Sequence, residues 1–373
     1  MKILHVINSL SSGGAEKLIE DSLPLMNRIE GIEVEVLLLT NHKNVFDKGL
    51  RNNNIKISVL PKNRIRSLRN IYDIRQQIIK GRYDIVHAHL FPSNYWVSLA
   101  CMLFINNRPK LVVTEHNTHN RRRNKKYFKY IDKFIYSSFD KIISISEKTQ
   151  ENLILWINPS EENQKRFTVV DNGVNLQRFF DAKPYNKSEI NSQFDENVKL
   201  ICMTGRFTQQ KDQNTLIKAI KNLPQDVHLL LIGEGELKRQ NEELAKNIGV
   251  SNRVHFMGFR NDVDRILCSC EIVALSSHWE GFGLAAVEGM AVGKPLIASN
   301  VSGLKEVVNN YGMLFEKGNV KEVTNLISKL LEDENLYNEL SKKSLIRAQH
   351  YDIKVMVNKY ISVYKKLKFK MHK

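Results

Sequence analysis

Short apolar runs recur at 3–7, 34–39, 85–86, 111–113, 142–145 and 169–170, and helix-length amphipathic segments at 16–26, 68–79 and 148–157 lie between several of them. Runs that are apolar at consecutive rather than alternate positions predict strands buried on both faces. Their alternation with helices predicts an α/β fold with a doubly wound parallel sheet. The pattern breaks at a polar stretch, 181–196, containing Pro184, and then restarts. Strands are predicted at 200–204, 228–232, 254–257, 272–275 and 295–298, with helices at 213–222 and 237–248. Two Rossmann-like domains follow, residues 1–175 and 176–352, with a linker near 175–196 and Asn172-Gly173 as a left-handed turn leading into it. Ligands of open parallel sheets gather at the carboxyl ends of the strands, so the expected site is a cleft across which the domains face. In the last stretch, 353–373, Ile353, Met356, Val357, Tyr360, Tyr364 and Leu367 recur at helical spacing.

At 373 residues the chain exceeds the ~250–300 at which a single core stops growing, which agrees with two domains. Charge adds information through its placement. Of a formal net charge of +16, residues 51–150 hold 20 Lys and Arg against 6 Asp and Glu. Lys62, Arg64, Arg66 and Arg69 form one cluster, and Arg121, Arg122, Arg123, Lys125 and Lys126 form another. Such a field is either a solvated basic face or an attractor for anionic lipid or polyanionic substrate. No nucleic-acid partner is expected, because no zinc spacing, aromatic RNP-type pattern or helix-turn-helix signal accompanies the charge. A mixed cationic and apolar tail, 365–373, is a further candidate for a membrane surface. Cys101, Cys202, Cys268 and Cys270 lie in apolar segments without a Cys-x-x-Cys pair, which predicts buried free thiols. The first apolar run is too short for a signal peptide. The longest, 96–105, is half the ~20 residues of a spanning helix. A cytoplasmic protein is expected.

The segment richest in chemistry is 276–299, in which Glu280 and Glu288 stand eight positions apart around Gly281-Phe282-Gly283. A strand should end before it and a small-residue helix should start within it, packed closely on that strand. The N–H groups of Phe282, Gly283 and Leu284 would then be open to an anion or a sugar hydroxyl. The residues alone also allow a structural αβ unit in which Glu280 favours the helix dipole and Glu288 sits in a core salt bridge. Arg206 and Lys211 follow the strand at 200–204 and can serve a diphosphate there, or stand as solvated loop charges. Gly13 and Gly14 open a helix after the first strand without completing the dinucleotide fingerprint. Asp262-Val263-Asp264 has the spacing of a metal-binding Asp-x-Asp but opens a helix, so a capping and dipole role is expected and no metal site. His116 ends a strand. His87 and His89 have ligand-like spacing, yet metal binding is not expected of them.

These features together resemble one family. The segment Glu280 to Glu288 is similar to the Glu-x7-Glu signature of the retaining nucleotide-sugar glycosyltransferases of GT-B architecture, glycosyltransferase family 4. The likeness continues through Ser12-Gly13-Gly14-Ala15-Glu16, His87-Ala88-His89, Thr114-Glu115-His116-Asn117, Asn172-Gly173-Val174-Asn175 and Gly205-Arg206-Phe207 with Lys211-Asp212. It implies a nucleoside-diphosphate sugar donor, with UDP-sugar favoured, and a lipid-linked saccharide or other surface-glycan precursor as acceptor. It also implies retention without a metal or other cofactor. By the same resemblance His116 hydrogen-bonds the transferred sugar, Glu280 binds sugar or acceptor, and Glu288 holds the ribose. Arg206 and Lys211 stabilise the departing diphosphate, Gly13 and Gly14 lie near the donor phosphates, and the backbone at Arg260 meets the base. The terminal helix would cross back to the first domain. Two rivals share the plan: a hydrolysing sugar-nucleotide epimerase, which lacks the Glu280…Glu288 arrangement, and a non-catalytic glycan- or lipid-binding protein.

Overall fold

The computed structural model describes residues 1–105, 107–118 and 120–369, without the side chain of Arg121. The chain forms two compact units, Met1–Gly173 with Ile353–Lys373, and Val174–Asp352. Each is built on one parallel sheet. Unit 1 holds β1 (Lys2–Ile7), β2 (Glu33–Leu38), β3 (Lys56–Val59), β4 (Ile85–His89), β5 (Lys110–Glu115), β6 (Lys141–Ser144) and β7 (Phe167–Val169), in the order β3-β2-β1-β4-β5-β6-β7. Unit 2 holds β8 (Lys199–Thr204), β9 (Val227–Ile232), β10 (Val254–Gly258), β11 (Ile272–Leu275), β12 (Leu296–Ser299) and β13 (Met313–Phe315), in the order β10-β9-β8-β11-β12-β13. Both orders step outward one way and then reverse. The reversal falls between β1 and β4 in unit 1 and between β8 and β11 in unit 2, and there the helices leave on opposite faces and open a crevice.

Successive residues of β1 face opposite sides of the sheet, as strand geometry requires. Ile3 and Ile7 join the apolar layer that includes Leu23 and Tyr364, whereas Leu4 and Val6 join the layer that includes Ile74, Ala100 and Ile135. The same parity puts His5, His87 and His89 on the first of these faces, under the helix Ile353–Phe369. That helix buries Ile353, Met356, Val357, Tyr360, Ile361 and Tyr364 in unit 1. At about 1.5–3 kcal/mol each, these side chains fasten it by on the order of 10 kcal/mol before ordering entropy is deducted.

Several expectations need correction. β4 runs to His89 rather than stopping at Val86, because His87 and His89 are buried like the apolar residues before them. The short edge strands β3 and β13 and the helices Ser93–Met102 and Tyr127–Ser137 were not foreseen. Residues 181–196 are not a free linker. Tyr185 N–H donates to Ser269 Oγ at 2.7 Å, Tyr185 Oη–H donates to Asp262 Oδ2 at 2.7 Å, and Lys187 pairs with Glu271 at 3.0 Å. Polar anchors thus bind this segment to unit 2. Neither Asn172 nor Gly173 takes a positive φ, since Val174 must be extended to bridge Asp352 and donate its N–H to Tyr351 O at 2.8 Å. The four cysteines are free, and only Cys268 is partly exposed. Among the described residues no helix is long and apolar enough to cross a membrane.

Candidate functional site

In unit 2 the candidate site residues follow the two strands that flank the reversal. β8 ends at Thr204, and Gly205-Arg206 follows. β11 ends at Leu275, and Ser276 to Glu280 follow. Lys211 Nζ donates to Glu280 Oε1 at 2.5 Å, and Ser277 Oγ donates to the same oxygen at 2.8 Å. Among the described residues Glu280 Oε2 accepts only from Gln210 Nε2, at 3.4 Å, which leaves it acceptor capacity for a ligand hydroxyl. A buried carboxylate needs such partners, and Glu280 is 7% exposed. Ser276 Oγ donates to Lys211 O at 3.2 Å and to Asp212 O at 2.7 Å, so β11 holds the turn that carries the lysine. Arg206 differs. Its side chain is exposed and makes no hydrogen bond or ion pair among the described residues, while Gln213 Nε2 fixes its carbonyl at 3.1 Å. The structure therefore places Lys211 against Glu280 and leaves Arg206 as the unpaired cation at this strand end.

The helix Leu284–Ala291 begins where expected, with Gly283 as its N-cap at φ +92. A Cβ on Gly283 would lie 2.8 Å from Leu304 Cδ2, so both the backbone and the space demand glycine there. Gly289 lets the helix lie against β11, where a Cβ would meet Val273 Cγ1 at 2.8 Å. The N–H groups of Phe282, Gly283 and Leu284 donate to no protein acceptor among the described residues. They form an open helix terminus able to receive an anion or a hydroxyl. Phe282 itself is buried edge-on against Tyr351, with ring centroids 5.1 Å apart, so only its backbone is offered. Glu288 lies in the second turn of this helix, half-buried.

Asp262 stands at the N-cap position of Val263–Ser269 but makes no side-chain cap bond. Arg260 Nε and Nη2 grip it at 2.8 and 2.6 Å, and Arg260 with Tyr185 holds its carboxyl down to about 2. Asp264 pairs with Arg178 at 2.5 Å. Bidentate guanidinium pairing competes successfully with the expected cap. The guanidinium of Arg260 is thereby occupied, and its backbone N–H and C=O make no bond among the described residues.

In unit 1, Gly13 and Gly14 follow β1 and open the helix Gly14–Asn27, and His116 follows β5. His116 Nε2 meets His89 Nδ1 at 3.1 Å, and His89 Nε2 meets His5 Nδ1 at 3.0 Å. His87 lies beside them, its ring tilted 34° to that of His89 with centroids 4.1 Å apart, and with Nδ1 2.6 Å from Tyr364 Oη and Nε2 2.8 Å from Thr114 Oγ1. Burial lowers all four histidines, His5 to about 3, His116 to about 4, and His87 and His89 well below their ordinary value. The rings are neutral, so each N···N contact is an N–H···N bond. His116 Nε2 is engaged inward, and Nδ1 has no partner among the described residues. His5, His87 and His89 offer nitrogens within 4.8 Å of one another. Every nitrogen of His87 and His89 already faces a hydroxyl or a ring. Glu115 accepts from Asn117 N–H at 3.1 Å and from Tyr136 Oη–H at 2.6 Å, which fixes the turn that carries His116.

Arg122 and Arg123 are not part of an open basic face. Arg122 lies 3.9 Å over the Phe91 ring and 3.5 Å from Asp132, Arg123 is 3.3 Å from Glu115, and each side chain is 13% exposed. Buried carboxylates draw both guanidinium groups inward. Lys125 and Lys126 remain exposed, while the side chain of Arg121 lies outside the described residues. Lys368 pairs with Asp84 at 3.2 Å, and residues 370–373 are likewise outside the description.

The expectations drawn from the sequence do not point to Ser276, Ser277 and Gln210 around Glu280 or to His5, and they mark His89 without its contact to His116. The Ser277-x-x-Glu280 spacing at a strand end was a readable signal for the first group. The histidines come from strands far apart in sequence.

Two doubly wound parallel domains, each with a switch point presenting polar groups, define the GT-B class of fold. Over 98% of this chain and 99% of the other, the structure superposes on the crystal structure of Anabaena HepE in complex with UDP and glucose, with a TM-score of 0.85 at 23% identity. The glycosyl transferases group 1 model matches residues 185–346, and the Glycosyltransferase Family 4 model matches residues 12–178. The chain belongs to this family of glycosyltransferases, family 4 with a group 1 domain. Among its relatives, the Escherichia coli UDP-Gal:alpha-D-GlcNAc-diphosphoundecaprenol alpha-1,3-galactosyltransferase is 27% identical over 74% of each chain. A Campylobacter jejuni N-acetylgalactosamine-N,N'-diacetylbacillosaminyl-diphospho-undecaprenol 4-alpha-N-acetylgalactosaminyltransferase is 25% identical over 93% of this chain and 94% of its own length.

Proposed function

We propose that this glycosyltransferase moves a sugar from a UDP-sugar to a lipid-linked saccharide, with retention at the anomeric carbon and without a metal, at the cytoplasmic face of a membrane. The observation that carries the reading is the unit 2 switch point. The unpaired Arg206, the Lys211–Glu280 pair and three open N–H groups stand on the ends of its two central strands or the helix that follows. In the step proposed, the acceptor hydroxyl oxygen bonds to the anomeric carbon as the bond from that carbon to the diphosphate oxygen breaks. The hydroxyl proton passes to a donor phosphate oxygen. Arg206 and Lys211 stabilise the charge that grows on the diphosphate, a role elsewhere filled by a divalent ion. Glu280 Oε2 accepts from a sugar or acceptor hydroxyl, Glu288 from the ribose, and the Arg260 backbone from the base. Gly13 and Gly14 allow close approach at the unit 1 helix terminus, and His116 meets the transferred sugar through Nδ1. The names of the two undecaprenol-linked relatives support a lipid-linked acceptor.

The test is thermal unfolding with UDP, GDP and their sugars, followed by transfer assays on diphosphoundecaprenol-linked saccharides with and without a chelator. UDP compounds should protect, by about 2.7 kcal/mol at 100 times the dissociation constant. Transfer should survive chelation and give the donor's own anomeric configuration. Protection by GDP alone, or activity abolished by chelator and restored by magnesium, would overturn the assignment.

A further inference from the structure

The helix Tyr127–Ser137 carries an apolar stripe that faces outward. Tyr127, Tyr130, Ile131 and Phe134 are 55%, 77%, 40% and 57% exposed, and they stand at i, i+3, i+4 and i+7, one continuous face. The opposite face buries Asp132, Ile135 and Tyr136. Asp132 accepts from Tyr95 Oη–H, from Trp156 Nε1–H at 2.8 Å and from Arg122, so the helix is fastened and the stripe is held outward. Lys126, Lys129 and Lys133 recur at i, i+3 and i+7 beside the stripe, with Lys125 just before it, and none of the four forms an ion pair among the described residues.

Aromatic residues suit protein interfaces too, but lysine is depleted there, and four lysines flank this stripe. Tyrosines and a phenylalanine edged by lysines are what the boundary between headgroups and acyl chains accepts. There the rings enter, the lysine stems lie along the apolar surface, and the ammonium groups meet phosphates. Leu68 and Tyr72, 76% and 57% exposed beside Arg64, Arg66 and Arg69, belong to the same layer of helices on that face of the sheet.

We infer that the helix Tyr127–Ser137 docks unit 1 on an anionic lipid surface, with Tyr127, Tyr130, Ile131 and Phe134 inserted and Lys125, Lys126, Lys129 and Lys133 on the phosphates. This rests on the membrane-surface reading above and moves the contact from the arginines Arg122 and Arg123 to this helix.

Sedimentation with phosphatidylglycerol/phosphatidylcholine vesicles tests it on the full chain. A variant with Lys125, Lys126, Lys129 and Lys133 changed to Gln should bind about fivefold more weakly per lysine at low salt, from the ~1 kcal/mol each contributes near an anionic surface. A Tyr127→Ser, Tyr130→Ser, Phe134→Ser variant should lose the binding that persists in high salt, where the lysines are screened. Far-UV circular dichroism and thermal protection by UDP should be those of the unchanged protein in both variants. Tight vesicle binding by all three proteins overturns the helix as the docking face while leaving a membrane role elsewhere. No vesicle binding by the unchanged protein overturns both readings. Self-association that disappears in the serine variant assigns the stripe to a second copy and overturns the lipid assignment.

Discussion

The two switch points have the same topology and opposite chemistry. In unit 1 stands a cluster of four histidines kept neutral by burial: His5 and His87 within β1 and β4, His89 at the end of β4 and His116 just after β5, with His5, His89 and His116 joined ring to ring. In unit 2 the strand ends are furnished with charges: Arg206 unpaired, and Lys211 against Glu280 at 2.5 Å. A neutral, desolvated cluster can hold a ring in one orientation and offer one hydrogen-bonding atom, but it brings no positive charge to a diphosphate. Guanidinium and ammonium groups beside a helix terminus do. The function proposed above would use that difference, with a neutral sugar at unit 1 and a diphosphate at unit 2.

Acid should separate the units most strongly. A histidine lowered on folding leaves the unfolded chain binding more protons, so its contribution is intact above about 6.5 and is lost as pH falls toward its folded value. By pH 5.5 each such group costs about 1.4 kcal/mol, and the four in unit 1 together cost roughly 5 kcal/mol, a large share of a domain's stability. In unit 2 burial lowers His228 and His255, which are less buried, with His255 at about 4. Asp262 of the same unit, lowered to about 2, gives up its contribution only as pH drops below the ordinary carboxylate range. Hydrogen exchange from pH 7 to 5, corrected for intrinsic rates, should loosen β1, β4 and β5 before β8, β9 and β11. Loosening of both sheets together would break the comparison.

The charged half should carry the chemical step. Lys211→Ala should lower turnover by roughly 10²–10³, the range for losing one electrostatic contact to a developing anion. Steady-state rates at saturating donor measure it. Near-normal turnover would show that Arg206 and the open N–H groups hold the leaving group without Lys211.

How far the chain could be read without coordinates follows the same division. The unit 2 site is local: Gly205 to Lys211 and Ser276 to Glu288 each cross from strand into helix within a few residues, so apolar runs and glycines locate the site's parts. What those runs could not show is that Lys211 turns toward Glu280, because side-chain pairing depends on Ser276 tying the two loops together. The unit 1 site is not local. His5, His87 and His89 are assembled by the register of β1 on β4, and a histidine reads as polar, so β4 was cut short where burial begins to matter. The same blindness applied to residues 181–196 and to Arg122 and Arg123. Both were judged by polarity, and both are held by buried or half-buried carboxylates that periodicity does not reveal.

The smallest effect tests the pairing itself. In the unliganded protein Glu280 offsets the charge of Lys211, so an incoming diphosphate meets a weaker field than the lysine alone would give. Glu280→Gln keeps an acceptor for Ser277 Oγ and removes that offset. The variant should unfold more easily without ligand, since Lys211 loses its partner in a largely buried place. It should also bind UDP more tightly, by about fivefold for each ~1 kcal/mol of attraction released. Titration calorimetry with UDP gives the affinity, and thermal unfolding with and without UDP should show a wider gap than in the unchanged protein. Turnover should fall nonetheless, because Oε2 no longer offers a carboxylate to a hydroxyl. Weaker UDP binding in Glu280→Gln would mean that the carboxylate holds the nucleotide directly, and that Lys211 serves Glu280 rather than the diphosphate.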